Sequence, residues 1–96
     1  MIFKGDDTTA FDSKFITIEL DNPNNLTIKK AIFVSGKIRK EFDNPVFPLE
    51  IGLNSQETKL LNYQNDCYLA VFDEYGRKQT CEGCLYFDAQ KEVVSE

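Results

Sequence analysis

The segment Cys81-Glu82-Gly83-Cys84 is the first place to look for chemistry, because two thiols at this spacing can hold zinc or cycle through a disulfide. Zinc asks for four ligands, normally a second such pair or histidines. The chain has no histidine and only Cys67 besides. Redox use of the motif places it at a helix N-terminus beside a βαβ unit, where the dipole lowers the thiol pKa. Here the motif sits in an extended pattern, and residues three apart on an unbroken strand point to opposite faces. A bond between Cys81 and Cys84 would therefore need a bulge at Gly83. Cys67 opens the preceding strand and could lie across from Cys81 or Cys84, which leaves a cross-strand thiol pair open. The simpler reading makes all three small strand residues, with no metal and no cofactor.

Carboxylates are the next candidates. Gly5-Asp6-Asp7 with Asp12 forms an acidic loop, but it lacks the alternating oxygen ligands and closing Glu of a calcium loop. Asp21 and Asp73-Glu74 lie in turn segments, where a carboxylate caps backbone N–H groups. Two carboxylates would suffice for glycoside hydrolysis, yet nothing in the pattern sets a pair around a cleft. There is no Gly-rich phosphate loop, nucleophile elbow or Ser/His/Asp set. The absence of histidine also removes the commonest general base and pH switch. The expectation is a protein without catalytic residues. Phe33, Phe72 and Phe87 read as core. Tyr75, at a hairpin tip with Arg77 beside it, is the exception, since an exposed aromatic on a loop is a candidate partner contact.

The elements that must position these residues alternate with period two. In residues 14–20, Ile16, Ile18 and Leu20 share one face while Thr17 and Glu19 point the other way. Asp21-Asn22-Pro23-Asn24-Asn25 is dense turn chemistry. Residues 26–35 resume the extended pattern, with Gly36 expected as a bulge or bend and Ile38 continuing the strand toward Phe42. Asp43-Asn44-Pro45 makes another turn. The segment from Val46 and Phe47 to Ile51 is an edge strand, or one broken at Pro48, which cannot donate to a ladder. Residues 55–61 are the one helical candidate, capped by Ser55, with Leu60 or Leu61 packing on a sheet end. Tyr68 to Asp73 is nearly continuous and apolar, as in a central strand covered on both faces. Gly76 turns a hairpin, and the return strand runs from about Lys78 to Ala89 with a possible bulge at Gly83. About seven strands and one short helical crossover fit an immunoglobulin-like β-sandwich, with a small partly open β-barrel as the alternative.

Composition sets the outer bounds. The 96 residues suffice for one domain, residues 1–96, and with 42% hydrophobic residues they can bury a core without staples. Eight Phe and four Tyr against no Trp and one Met point to a core shaped by rings and branched aliphatics. A net charge of -5 argues against nucleic-acid or anionic-membrane partners, which require a basic surface. No apolar run reaches signal-peptide or membrane-span length, and the odd cysteine count gives no secreted disulfide framework. A protein kept in a reducing cytoplasm, or assembled there into something larger, is expected.

Three segments resemble one family. Phe3-Lys4-Gly5-Asp6-Asp7-Thr8 is similar to the strand-then-Gly-Asp opening of phage baseplate upper-protein N-terminal domains. Leu53-Asn54-Ser55-Gln56-Glu57-Thr58-Lys59-Leu60 looks like their short crossover before a central strand. The run from Tyr68 to Thr80, followed by Gly83-Cys84-Leu85-Tyr86-Phe87, resembles their closing hairpin. The resemblance implies an immunoglobulin-like sandwich from a phage or prophage, serving as a structural or attachment module of a virion or tail, with no catalytic residues. The function expected is thus protein–protein contact, with itself or with other phage structural proteins, through the Val46–Ile51 edge and the Asp73–Lys78 hairpin. A Cys-based redox or metal-binding protein is one alternative. An adhesin-like sandwich that binds carbohydrate or peptide through Tyr75 and nearby loops is another.

Overall fold

Alternation along the chain is realised as strands in a computed structural model that describes residues 2–10 and 16–93, with the backbone alone described over 81–87. In chain order these are β1 (Ile2–Phe3), β2 (Ile16–Ile18), β3 (Ile28–Ser35), β4 (Ile38–Asp43), β5 (Leu49–Ile51), the helix α1 (Ser55–Lys59), β6 (Gln64–Asp73) and β7 (Lys78–Gln90). Five strands form one sheet in the order β1-β7-β6-β3-β4, and β2 pairs with β5 in a second. All neighbours are antiparallel except β1 and β7, which run parallel. The order β7-β6-β3-β4 facing β2-β5 is that of the G-F-C-C′ and B-E strands of an immunoglobulin-type sandwich. The sheets also carry a half-barrel curl. Among the described residues, no helix is long and apolar enough to cross a membrane.

The core lies between the two sheets. On β6 the inward positions are Asn65, Cys67, Leu69, Val71 and Asp73, and every one is buried. β3 adds Ala31 and Phe33, and the small sheet answers with Ile16, Ile18, Leu49 and Ile51. Phe33 is fully buried on the strand where immunoglobulin domains place a Trp. Antibody domains tie their sheets with a disulfide from strand B to strand F. Here β6 carries Cys67, but β2 offers Ile16 and Ile18, so close packing of aliphatic side chains joins the sheets. Two buried threonines fasten the N-terminal segment. Thr8 Oγ1 donates to Leu53 O at 3.0 Å and accepts from Leu53 N at 2.6 Å. Thr58 Oγ1 donates to Asp6 O at 2.8 Å and accepts from Gly5 N at 2.9 Å.

Several expectations hold. β5 begins directly after Pro48, the 22–25 turn closes with Asn25 at φ 51, and Gly76 turns the last hairpin at φ 77. The partner of β6 shifts from Leu85 at Cys67 to Glu82 at Tyr68, so two extra residues of β7, Gly83 and Cys84, form the expected bulge. Others need correction. Gly36 is not a bulge inside one strand. Ser35 pairs with Ile38, so Gly36 and Lys37 are a two-residue hairpin turn with Gly36 at φ 58, as a type II′ turn requires. The helix cap is Asn54 rather than Ser55. Asn54 Oδ1 accepts from Glu57 N at 2.8 Å and Glu57 Oε1 accepts from Asn54 N at 2.9 Å, a reciprocal capping box. Leu61 is buried at the sheet end while Leu60 is exposed. β6 starts at Gln64, and among the described residues it is covered on one face, with Tyr68 exposed and Ala70 and Phe72 half-buried.

Asn65 sits two residues before Cys67 at the entrance to β6, where immunoglobulin domains use a corner tyrosine. Its Oδ1 accepts from Asn62 N at 2.8 Å and its Nδ2 donates to Asn62 O at 2.6 Å, so a short amide fixes the bend. We expect Asn65→Ala to cost about 1–2 kcal/mol, read as a lower urea midpoint at unchanged m-value. A change under about 0.3 kcal/mol would show that the corner contributes nothing.

Candidate functional site

The topology gathers three loops at one end of the sandwich: residues 19–27 between β2 and β3, 44–48 between β4 and β5, and 74–77 between β6 and β7. The registers Ile28↔Asp73, Lys30↔Asp43 and Ile18↔Leu49 bring their bases level. In antibody variable domains the corresponding end carries the antigen-binding loops. Each loop here is held by its own polar residue. Asn22 clamps Leu26, its Oδ1 accepting from Leu26 N at 3.0 Å and its Nδ2 donating to Leu26 O at 2.8 Å. Asn44, at φ 49, donates its N–H to Lys29 O at 2.8 Å. The Phe47–Pro48 peptide is cis.

Asp73 organises the hairpin. Its residue is buried, its Oδ1 accepts from Tyr75 N and Arg77 N at 2.9 Å each, and its Oδ2 accepts from Arg77 Nε at 2.6 Å. Gly76 N–H closes the turn on Asp73 O at 3.1 Å. Burial is the largest single influence on the Asp73 carboxyl and pushes its pKa up. The hydrogen bonds from Arg77 and Tyr75 and the Arg77 charge together outweigh it, so the group lies below its usual value. The result is a rigid tip on which Tyr75 stands 73% exposed, with the Arg77 guanidinium 5.2 Å from its ring centroid.

Of the four contact residues expected from the sequence, Tyr75 and Arg77 share the hairpin, and Val46 stands 80% exposed on the 44–48 loop at the same end. Phe47 turns the other way in part. It is half-buried and packs against the core, so it anchors its loop as well as lining a surface depression. Leu26, at the same end and partly exposed, is an addition that sequence reading missed, because its exposure follows from the Asn22 clamp. A concavity of about 240 Å³ lies between the 19–27 loop and the hairpin, lined by Leu20, Asn22, Ile28, Val71, Asp73 and Arg77 among others. A second of about 250 Å³, lined by Glu19, Leu20, Phe47 and Pro48, adjoins it through Leu20. Both are smaller than the roughly 300–1,000 Å³ of enclosed small-molecule sites, and each is the size for one inserted side chain or sugar ring.

Register gives the backbone positions of two of the three cysteines. Cys67 is buried opposite Leu85, and Cys81 lies opposite Leu69. The side chains of Cys81 and Cys84 lie outside the described residues. In the N-terminal loop Asp7 caps Thr9, accepting from Thr9 N at 2.9 Å and from Thr9 Oγ1. Asp12 lies outside the described residues. Among those described, no group of three or more His, Cys, Asp or Glu could hold a metal ion. Comparison of the chain with family models, curated proteins and solved structures gives no match.

Because the folded-state pKa of Asp73 is depressed, its contribution to stability is fully present above the usual value of 3.8 and is lost as pH falls through the lower folded value. Asp73→Asn is neutral at every pH. We expect it to lower the urea midpoint at pH 7 and to flatten the decline in stability between about pH 5 and pH 2 relative to wild type. Identical pH slopes in the two proteins would remove Asp73 from the account.

Proposed function

We propose that the chain is a non-enzymatic interaction module that docks a protein partner through its loop end, as a structural or attachment component of a phage or prophage tail. One observation carries the contact surface. Three separate loops each hold one apolar side chain toward solvent at the same end, Leu26, Val46 and Tyr75, and Leu26 lines one of the two adjoining concavities there. Exposed apolar side chains gathered in this way mark interaction surfaces, and Tyr and Arg are the residue types that dominate binding energy in them. The rigid Asp73 hairpin lowers the entropy lost when Tyr75 is immobilised. The setting in a tail rests on the likeness of the opening, crossover and closing-hairpin segments to phage baseplate domains. A second reading, an adhesin-like site for sugar or peptide, is favoured by the polar lining of the concavity beside the hairpin, Asp21, Asn22 and Gln79, at the same end as an exposed aromatic ring.

Surface plasmon resonance of the full chain against purified products of the genes adjacent to its own tests the first reading. Binding is expected, with Tyr75→Ala and Val46→Asp each weakening it by about tenfold or more. Tyr63→Ala, at the opposite end of the sandwich, should leave affinity unchanged. Equal losses from Tyr63→Ala and Tyr75→Ala would contradict the loop-end assignment. Tyr75-dependent binding on a glycan array, with no protein bound, would establish the second reading instead.

A further inference from the structure

The outer face of the large sheet is an apolar surface that the described chain leaves uncovered. Register arranges it in rows across the strands. Arg39, Val34 and Tyr68 form one row, Glu41, Ile32, Ala70 and Thr80 the next, and Asp43, Lys30, Phe72 and Lys78 the third. The alternate residues Ala31, Phe33, Leu69 and Val71 are buried in the core, so these rows point away from it. Val34, Ile32, Ala70 and Phe72 are half-buried, Tyr68 is 40% exposed, and a shallow depression of about 360 Å³ runs over them. The centre is apolar and the charges stand at its margins, which is the anatomy of an interface core and rim.

We propose that this face pairs with the same face of a second copy of the chain, about a two-fold axis parallel to the strands. Such an axis lays the β4 margin of one copy over the β7 margin of the other at the same height. The third row then sets Asp43 against Lys78 of the second copy, and symmetry makes the pair twice. Neither residue has an ion-pair partner within its own chain among the described residues, whereas Glu41 is already held by Lys30 at 3.3 Å and Arg39 at 2.8 Å. The chain as a whole is acidic, at -5, but the described charges of these rows are Lys30, Arg39 and Lys78 against Glu41 and Asp43. Repulsion between two copies across this face is therefore less than the overall charge alone would give. The patch is also small. Four strands and three rows cover about 400 Å² of plane at ordinary strand spacings. That is below the roughly 800 Å² per partner of a standard interface, which places the contact among the small, weak ones.

Sedimentation equilibrium of the full chain from about 10 μM to about 1 mM, at low salt, is the test. The weight-average mass should climb from monomer toward dimer. Ala70→Glu and Tyr68→Lys should each hold the protein monomeric throughout. Lys78→Glu or Asp43→Lys alone should weaken association about three- to tenfold, and the double exchange D43K/K78E should restore the wild-type constant within about twofold. All four positions lie outside the buried core, and far-UV circular dichroism confirms that each variant is folded. A wild-type monomer at every concentration would overturn the proposal, whether the face is bare or kept for another protein. So would an Ala70→Glu protein that associates like wild type, or a double exchange no tighter than the single ones.

Discussion

Strand β6 has to hide Cys67, Leu69 and Val71 while the residues between them, Tyr68, Ala70 and Phe72, are of comparable apolar character. A strand can turn only one set toward a given layer. The choice is made by the short opposing strands: Ile16, Ile18, Leu49 and Ile51 close over the first set, and no element of the described chain closes over the second. Everything else in the molecule follows from that asymmetry. A one-residue slip of β6 would exchange the two faces and place Asn65 and Asp73, whose polar atoms are all engaged on the inner side, in water. Those two polar residues mark the ends of the strand, and the row of apolar side chains between them fixes its register.

Among the described residues the opposing sheet has two strands of three residues each, and β2 carries no cysteine for a cross-sheet disulfide, so the sandwich depends on how well a few aliphatic side chains fit around Phe33. The polar bonds that finish the fold lie at its ends. Thr8 and Thr58 bind the N-terminal segment to the β5–α1 region, Asn65 fixes the bend into β6, and Asn22 and Asp73 shape the opposite loops. Packing specifies the middle of the sandwich and hydrogen bonds specify its two ends. That division explains why the loop end can carry an exposed Tyr75 on a rigid tip while the core beneath it stays closed.

Much of this was legible in the residues. Alternation at Ile16 and Ile18, the break at Pro48, the hairpin at Gly76 and the bulge at Gly83 all come from local rules of side-chain direction and backbone freedom. The misreadings share a cause: they depended on what lies across space. Gly36 looks the same in a bent strand and in a tight hairpin until Ser35 is seen to pair with Ile38. A run such as Tyr68-Leu69-Ala70-Val71-Phe72 reads as doubly covered because apolar residues occupy both faces, and only the lack of a second layer among the described residues shows otherwise. Asn54 outcompetes Ser55 as cap because Glu57 lies three residues after it and can return the hydrogen bond. Tyr75 was legible as an exposed aromatic on a turn, but Leu26 was not, since its position depends on the amide of Asn22.

The account therefore stands on a sandwich with one packed face, one open face and a polar-braced loop end. Solvent paramagnetic relaxation of side-chain protons by NMR, with an inert gadolinium chelate and protein dilute enough to be monomeric, tests it most directly. The account predicts that relaxation alternates along β6, weak at Leu69 and Val71 and strong at Tyr68 and Ala70, with Val46 and Tyr75 among the strongest signals in the spectrum. Equal protection of Ala70 and Leu69 in the monomer would contradict it, because it would mean that the chain itself covers both faces of β6.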